Sequence, residues 1–161
     1  MSSYLHDPEE WAAKCVDDPR WLAVRLQRIA RFGGDYSGNN VLRHSLEVAW
    51  RLRGSSPACQ LWALFHDAHE NRTGDIRHEY KNITLTAAQH HIDAILKRHL
   101  GIGLNDKLCD VNMMDRVCGN IEFNTGDSML WQYKEAECVD VFDIRARSLM
   151  AVIAATANVQ P

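Results

Sequence analysis

The chain has 161 residues, 46% of them hydrophobic and 24% charged, with a formal net charge of −3. That length is enough for one domain with a core of its own, and residues 1–161 read as a single domain. The weak negative charge and the lack of a basic tract exclude a protein that coats a nucleic-acid polymer, while small anionic substrates stay open because local cations can oppose the global charge.

The five cysteines, Cys15, Cys59, Cys109, Cys118 and Cys138, are odd in number and form no C-x-x-C pair. They argue against a disulfide framework and a cysteine zinc site, and they fit a reducing cytoplasm. The first residues lack the charged and apolar regions of a signal peptide. No run approaches the ~18 apolar residues of a membrane span, so no membrane partner is expected.

In chain order, Asp7-Pro8 reads as an N-cap followed by proline at the first helical position, starting a helix through Trp11 to Val16. Asp18-Pro19 starts a second helix carrying Trp21, Leu22, Val24, Leu26 and Ile29. It runs into Arg31-Phe32-Gly33-Gly34, where two glycines stop it. The segment from Asp35 to Asn40 is turn-rich, and a third helix follows with Val41, Leu42, Leu46, Val48 and Ala49. Ser56-Pro57 caps a fourth, which ends at His66-Asp67. Thr84 or Thr86 can cap a helix reaching His99-Leu100, closed by Gly101. Asn105 to Glu122 and Ser128 to Asn158 read as further helices. No segment alternates with a period of two, so the spacing predicts an all-α bundle of about six to seven helices.

His66-Asp67 carries the chemistry. It closes the apolar run Leu61-Trp62-Ala63-Leu64-Phe65 and opens a polar string, so an imidazole and a carboxylate stand together at the end of a buried helix. Such a pair suits a divalent metal, which lowers the pKa of bound water to about 7 and polarises a phosphoryl oxygen. Three or four ligands from different elements are needed. His44, early on an apolar helix, is one candidate. Asp115, in the apolar stretch Val111 to Val117, is another, since a buried aspartate needs compensation. Glu137 and Asp140, one helical turn apart, are rivals to Asp115.

The ordered set His44, His66-Asp67 and Asp115 resembles the HD-domain metal-dependent phosphohydrolases, in particular those of phages and prophages. The likeness extends through Arg28 to Gly34, His44-Ser45, His66 to Glu70, Thr73 to Ile76, Lys81, Asp93 to Ile95, Leu100-Gly101, Val111, Asp115-Arg116 and Glu122, and it covers about residues 22 to 122. Arg77 stands where the family often has proline, and Met114 where it usually has alanine.

The resemblance implies a compact HD-domain helical bundle with one divalent transition metal (Zn, Co, Mn or Fe) held by His44, His66, Asp67 and Asp115. Magnesium can accompany the substrate. It implies a deoxynucleotide substrate and two candidate activities. The first is a dNTP triphosphohydrolase of the dATP type, releasing nucleoside and triphosphate. The second is a 5′-deoxynucleotidase acting on monophosphates. A non-catalytic nucleotide sensor on the same fold is a third reading.

Glu70, four residues after His66 and on about the same face, is placed to orient or deprotonate the attacking water or to protonate the leaving oxygen. The resemblance places Asp75, in the turn after Thr73-Gly74, beside the leaving-group oxygen as an acid/base or sugar contact. Arg31 and Lys81 are the candidate phosphate partners. Phe32 can stack on a base, and Gly33-Gly34 can permit close backbone approach, with Gly34 counted among the substrate contacts. His69, His78, His90, His91 and His99 read as surface or structural, and a second metal through His69 is disfavoured. The resemblance further implies a homo-oligomer in the cytoplasm, that of the host if the chain is phage-encoded. Trp11, Trp21 and Trp131 suit either core or interface.

Overall fold

The computed structural model describes residues 7–34, 39–126 and 133–157. Helix starts follow short local signals. Asp7 Oδ1 accepts from Glu9 N at 2.8 Å and opens α1, Pro8–Asp17. Asp18 Oδ1 accepts from Trp21 N at 3.0 Å and opens α2, Pro19–Leu26. Asn40 caps α3, Val41–Arg51, and Ser56 caps α4, Pro57–Phe65. In each case a short side chain on non-helical backbone satisfies an N–H that the first turn leaves unpaired. A single turn, α5, spans Glu70–Thr73. The long helices α6, Ile83–His99, α7, Cys109–Thr125, and α8, Glu135–Ala157, complete the bundle. Seven of these helices have eight residues or more, and the only β pairing among the described residues is an isolated bridge between Ala30 and Asn40. The fold is all-α.

Some boundaries differ from expectation. The second helix ends at Leu26, well before the glycines. Ile29 O accepts from Val41 N at 3.0 Å, and Arg31 N donates to Asn39 O at 3.2 Å, so pairing with the strand-like approach to α3 ends the helix. Asn82, not Thr84 or Thr86, caps α6, its Oδ1 accepting from Leu85 N at 2.8 Å. The helix expected from Asn105 starts at Cys109. The last helix begins at Glu135; Ser128 and Trp131, expected within it, lie outside the described residues, as does most of the Asp35–Asn40 turn. Asn82→Ala should therefore destabilise the fold by about 1 kcal/mol, as caps typically do, whereas Thr84→Ala, an exposed position inside the helix, should stay within about 0.5 kcal/mol. Paired chemical denaturation of the two variants checks this.

The core centres on α4. Ala58, Cys59, Leu61, Trp62, Ala63, Leu64 and Phe65 are all buried, so this helix is apolar around most of its circumference. A helix of that kind must be surrounded, and α3, α7 and α8 pack against it. Trp11 is fully buried and donates from Nε1 to Asn71 Oδ1 at 3.0 Å, which places it in the core; Trp21 is partly buried, with Arg25 over its ring. Among the described residues no helix is long and apolar enough to cross a membrane. The consequence for function is that α4, the most deeply buried element, delivers its C-terminal residues to a point where α3 and α7 also arrive.

Candidate metal centre

His44 closes the first turn of α3, its N–H bonded to Asn40 O. His66 and Asp67 follow the end of α4, and Asp115 is carried by α7. One ligand atom from each of these four residues lies within 4.8 Å of the others. His44 Nε2 is 2.9 Å from Asp115 Oδ1 and 3.7 Å from Asp67 Oδ2. His66 Nε2 is 3.3 Å from Asp67 Oδ2 and 3.7 Å from Asp115 Oδ1. The rivals go elsewhere: Asp140 pairs with Arg20, and Glu137 Oε2 accepts from Lys134 N at 2.7 Å.

The ring orientations fit a metal. His66 Nδ1 donates to the Ala63 carbonyl at 2.9 Å, one of the acceptors left over at the end of α4. That bond commits Nδ1, so Nε2 is the nitrogen that can offer a lone pair once its proton is displaced, and this atom is buried with no hydrogen-bond partner despite its carboxylate neighbours. His44 Nδ1 is held by Glu122, 3.0 Å to Oε1 and 3.2 Å to Oε2, which turns Nε2 to the cluster. A carboxylate or a carbonyl behind each imidazole is the usual outer support of a metal-bound histidine. Two imidazole nitrogens and two carboxylates suit Zn, Co, Mn or Fe.

The charges are strongly coupled. Burial pushes His66 toward its neutral form, but the Asp67 charge and contacts with Asp115 and Asp67 outweigh it and hold its pKa well above the usual value. His44 is likewise raised: burial and Arg31 oppose its proton, and hydrogen bonds to Asp115 and Glu122 win. Burial works against ionised Asp67 and Asp115, yet the two histidines hold both carboxyls below the usual range. Without an ion the cluster thus stores protons that a cation must displace.

Glu122 is the residue whose function the sequence left unassigned. It is 1% exposed and supports His44 on one side while Arg31 Nε approaches its Oε2 at 3.0 Å, an ion pair without aligned hydrogen-bond geometry. Its spacing of seven from Asp115 is two helical turns, so both sit on one face of α7; a carboxylate repeated at that interval in an apolar stretch is the signal that could have found it. Glu122→Gln should lower metal affinity about 10–100-fold, as loss of an outer partner does, with little change in helix content; metal titration alongside circular dichroism checks both.

Around the cluster, Arg31 is 8% exposed and also approaches Asp67 Oδ2 at 3.6 Å. Its guanidinium lies over the Phe32 ring, 5.2 Å to the centroid, and Phe32 meets Phe123 edge-on at 5.6 Å. Phe32 has φ 54, unusual for a residue with a side chain, and Gly33 and Gly34 follow with φ 67 and 87. The glycines therefore shape a left-handed turn beside Arg31 instead of ending α2. Glu70 is 4% exposed, and burial, then the charges of Asp67 and Asp75, raise its pKa well above normal. Lys81 and Asp75 are both partly exposed, and both act electrostatically on Glu70.

His90 and His91 are exposed, and His99 pairs with Glu9, as expected. His69 falls on the structural side of the expectation: it is 7% exposed, with Nδ1 2.9 Å from Asp93 Oδ1. No protein-family model, curated protein or solved structure matches this chain.

Proposed function

We propose that the protein is a metal-dependent phosphohydrolase of deoxynucleotides with an HD-domain-type centre, foremost a dNTP triphosphohydrolase of the dATP type. The observation that carries this reading is the convergence of His44, His66, Asp67 and Asp115 from three elements, beside a buried guanidinium and a buried carboxyl. A divalent ion held by those four would supply a Lewis acid for the phosphoryl oxygen and lower the pKa of water.

The chain's own groups supply the rest. Arg31, fixed by Glu122 and Asp67, directs its remaining N–H groups at a phosphate oxygen, and Lys81 adds a mobile positive charge. Glu70, buried and proton-seeking, gives a proton to the 5′ oxygen as its bond to phosphorus breaks and water adds to that phosphorus; in its ionised form it orients the water. Asp75, in the turn after Gly74, contacts the sugar or leaving oxygen. Phe32, with Gly34 at the rim, flanks the base. Nucleoside and triphosphate are the products.

The test is chromatographic product analysis over all dNTPs and dNMPs with Co, Mn or Zn, using His66→Ala as the control. Nucleoside plus triphosphate, lost in the variant, is the expected result. Nucleoside plus a single phosphate from monophosphates would make the protein a 5′-deoxynucleotidase instead. Tight nucleotide binding with no turnover of any substrate would leave a sensor.

A further inference from the structure

A second group of metal-binding side chains adjoins the first. One ligand atom each from Asp67, His69 and Glu70 lies within 4.8 Å of the other two. His69 is 7% exposed and Glu70 4% exposed. The local chain explains the convergence: Asp67 and Glu70 are three apart across a helical turn, on one face, with His69 between them.

The hydrogen bonding of this group is incomplete in a particular way. His69 Nδ1 is engaged by Asp93 Oδ1 at 2.9 Å, across from α6. A carboxylate there accepts the Nδ1 proton and leaves Nε2 as a lone pair. His69 Nε2 is buried with no hydrogen-bond partner, and so is Glu70 Oε2. Buried polar atoms are nearly always paired. His69 Nε2 and Glu70 Oε2 do not pair with each other or with any other group, and a cation would satisfy both together with the Asp67 carboxylate.

We propose that Asp67, His69 and Glu70 form a second divalent-cation site, with Asp93 fixing the His69 ring and Asp67 shared with the first centre. The proposal rests on the first centre only through that shared carboxylate, whose two oxygens allow it to serve both ions. One imidazole and two carboxylates make a harder donor set than two of each, so this site favours Mn or Mg where the first accepts Zn or Co. Two ions bridged by a carboxylate lie about 4 Å apart in known two-metal phosphohydrolytic sites. A second cation here would supply further positive charge to the substrate phosphates beside Glu70. With the second ion bound, Glu70 is ionised and takes its water-orienting role, one oxygen toward the water and the other toward the ion.

The experiment counts manganese. Metal-free protein is dialysed against Mn(II), bound metal is measured per chain, and electron paramagnetic resonance reports whether the ions are coupled. The wild type should hold two ions with an exchange-coupled spectrum. His69→Gln should hold one, with an isolated-ion spectrum. Asp93→Asn, which keeps the shape of the side chain, should weaken only the second binding step by about 10–100-fold; it decides the matter if His69→Gln fails to fold by circular dichroism. One ion in the wild type would overturn this site and leave the first centre standing. Two ions in both the wild type and His69→Gln would also overturn it, and no bound ion at all would sink both centres.

Discussion

His66→Ala should abolish high-affinity binding of a divalent transition metal and, with it, the proposed phosphohydrolysis. His66 Nε2 is the buried, unpaired nitrogen at the centre of the cluster, and its ring is already aligned by the Ala63 carbonyl. Removing it takes away one of two imidazoles from a four-donor set, a larger loss than the roughly 10–100-fold expected for an outer partner such as Glu122. Thermal melting gives a second readout. An ion at 100 times its dissociation constant stabilises the wild type by about 2.7 kcal/mol, and the variant should show no such gain. Metal uptake by the wild type should also release protons. Because His44 and His66 are raised and therefore hold protons in the metal-free chain, affinity should fall as pH is lowered. If His66→Ala binds zinc or cobalt as tightly as the wild type, the cluster is a buried ion-pair network and not a metal centre.

The parts of this structure that could be read from sequence are those whose causes are local. Asp7-Pro8, Asp18-Pro19 and Ser56-Pro57 place an acceptor and a proline at adjacent positions, and all three start helices where they should. The start of α6 was ambiguous because Asn82, Thr84 and Thr86 are all competent caps within five positions. Asn82 wins on extended backbone, while Thr86 Oγ1 bonds back to Asn82 O inside the helix. The end of α2 could not be read at all, because it depends on Asn39 to Val41 returning to pair with Ile29 to Arg31.

The same division runs through the site. His66-Asp67 is conspicuous because a polar pair directly follows a buried run. Spacing and apolar context favour Asp115 over Glu137 and Asp140, whereas the pairing of Asp140 with Arg20 of α2 leaves no trace in the sequence. The burial of His69 was invisible because Asp93, which holds it, lies 24 residues away on another helix. A buried polar residue is recognised by its partner, and partners distant in sequence leave no local trace; Gln89, buried one turn before Asp93 and donating to Thr73 Oγ1, belongs to the same inward polar face.

Phe65→Ala should cost about 3–5 kcal/mol, the range for truncating a buried phenylalanine. Phe65 is fully buried as the last residue of α4, and its ring meets Phe142 of α8 with centroids 5.3 Å apart and planes tilted by 52°. A total stability of about 5–15 kcal/mol is typical for a domain, so this one truncation consumes a large share of the margin. Phe65→Leu, which refills most of the volume, should cost clearly less, and urea unfolding of both variants without metal separates them. The position makes the effect functional as well. Phe65 immediately precedes His66 and Asp67, so the cavity lies beneath the backbone that aims both ligands. A shift of about 1 Å is enough to degrade a site that depends on converging donors. At a temperature where Phe65→Ala is still folded, its metal affinity should therefore fall although no ligand has been touched. Unchanged affinity in the folded variant would mean that α3 and α7 hold the geometry without help from the packing of α4 on α8.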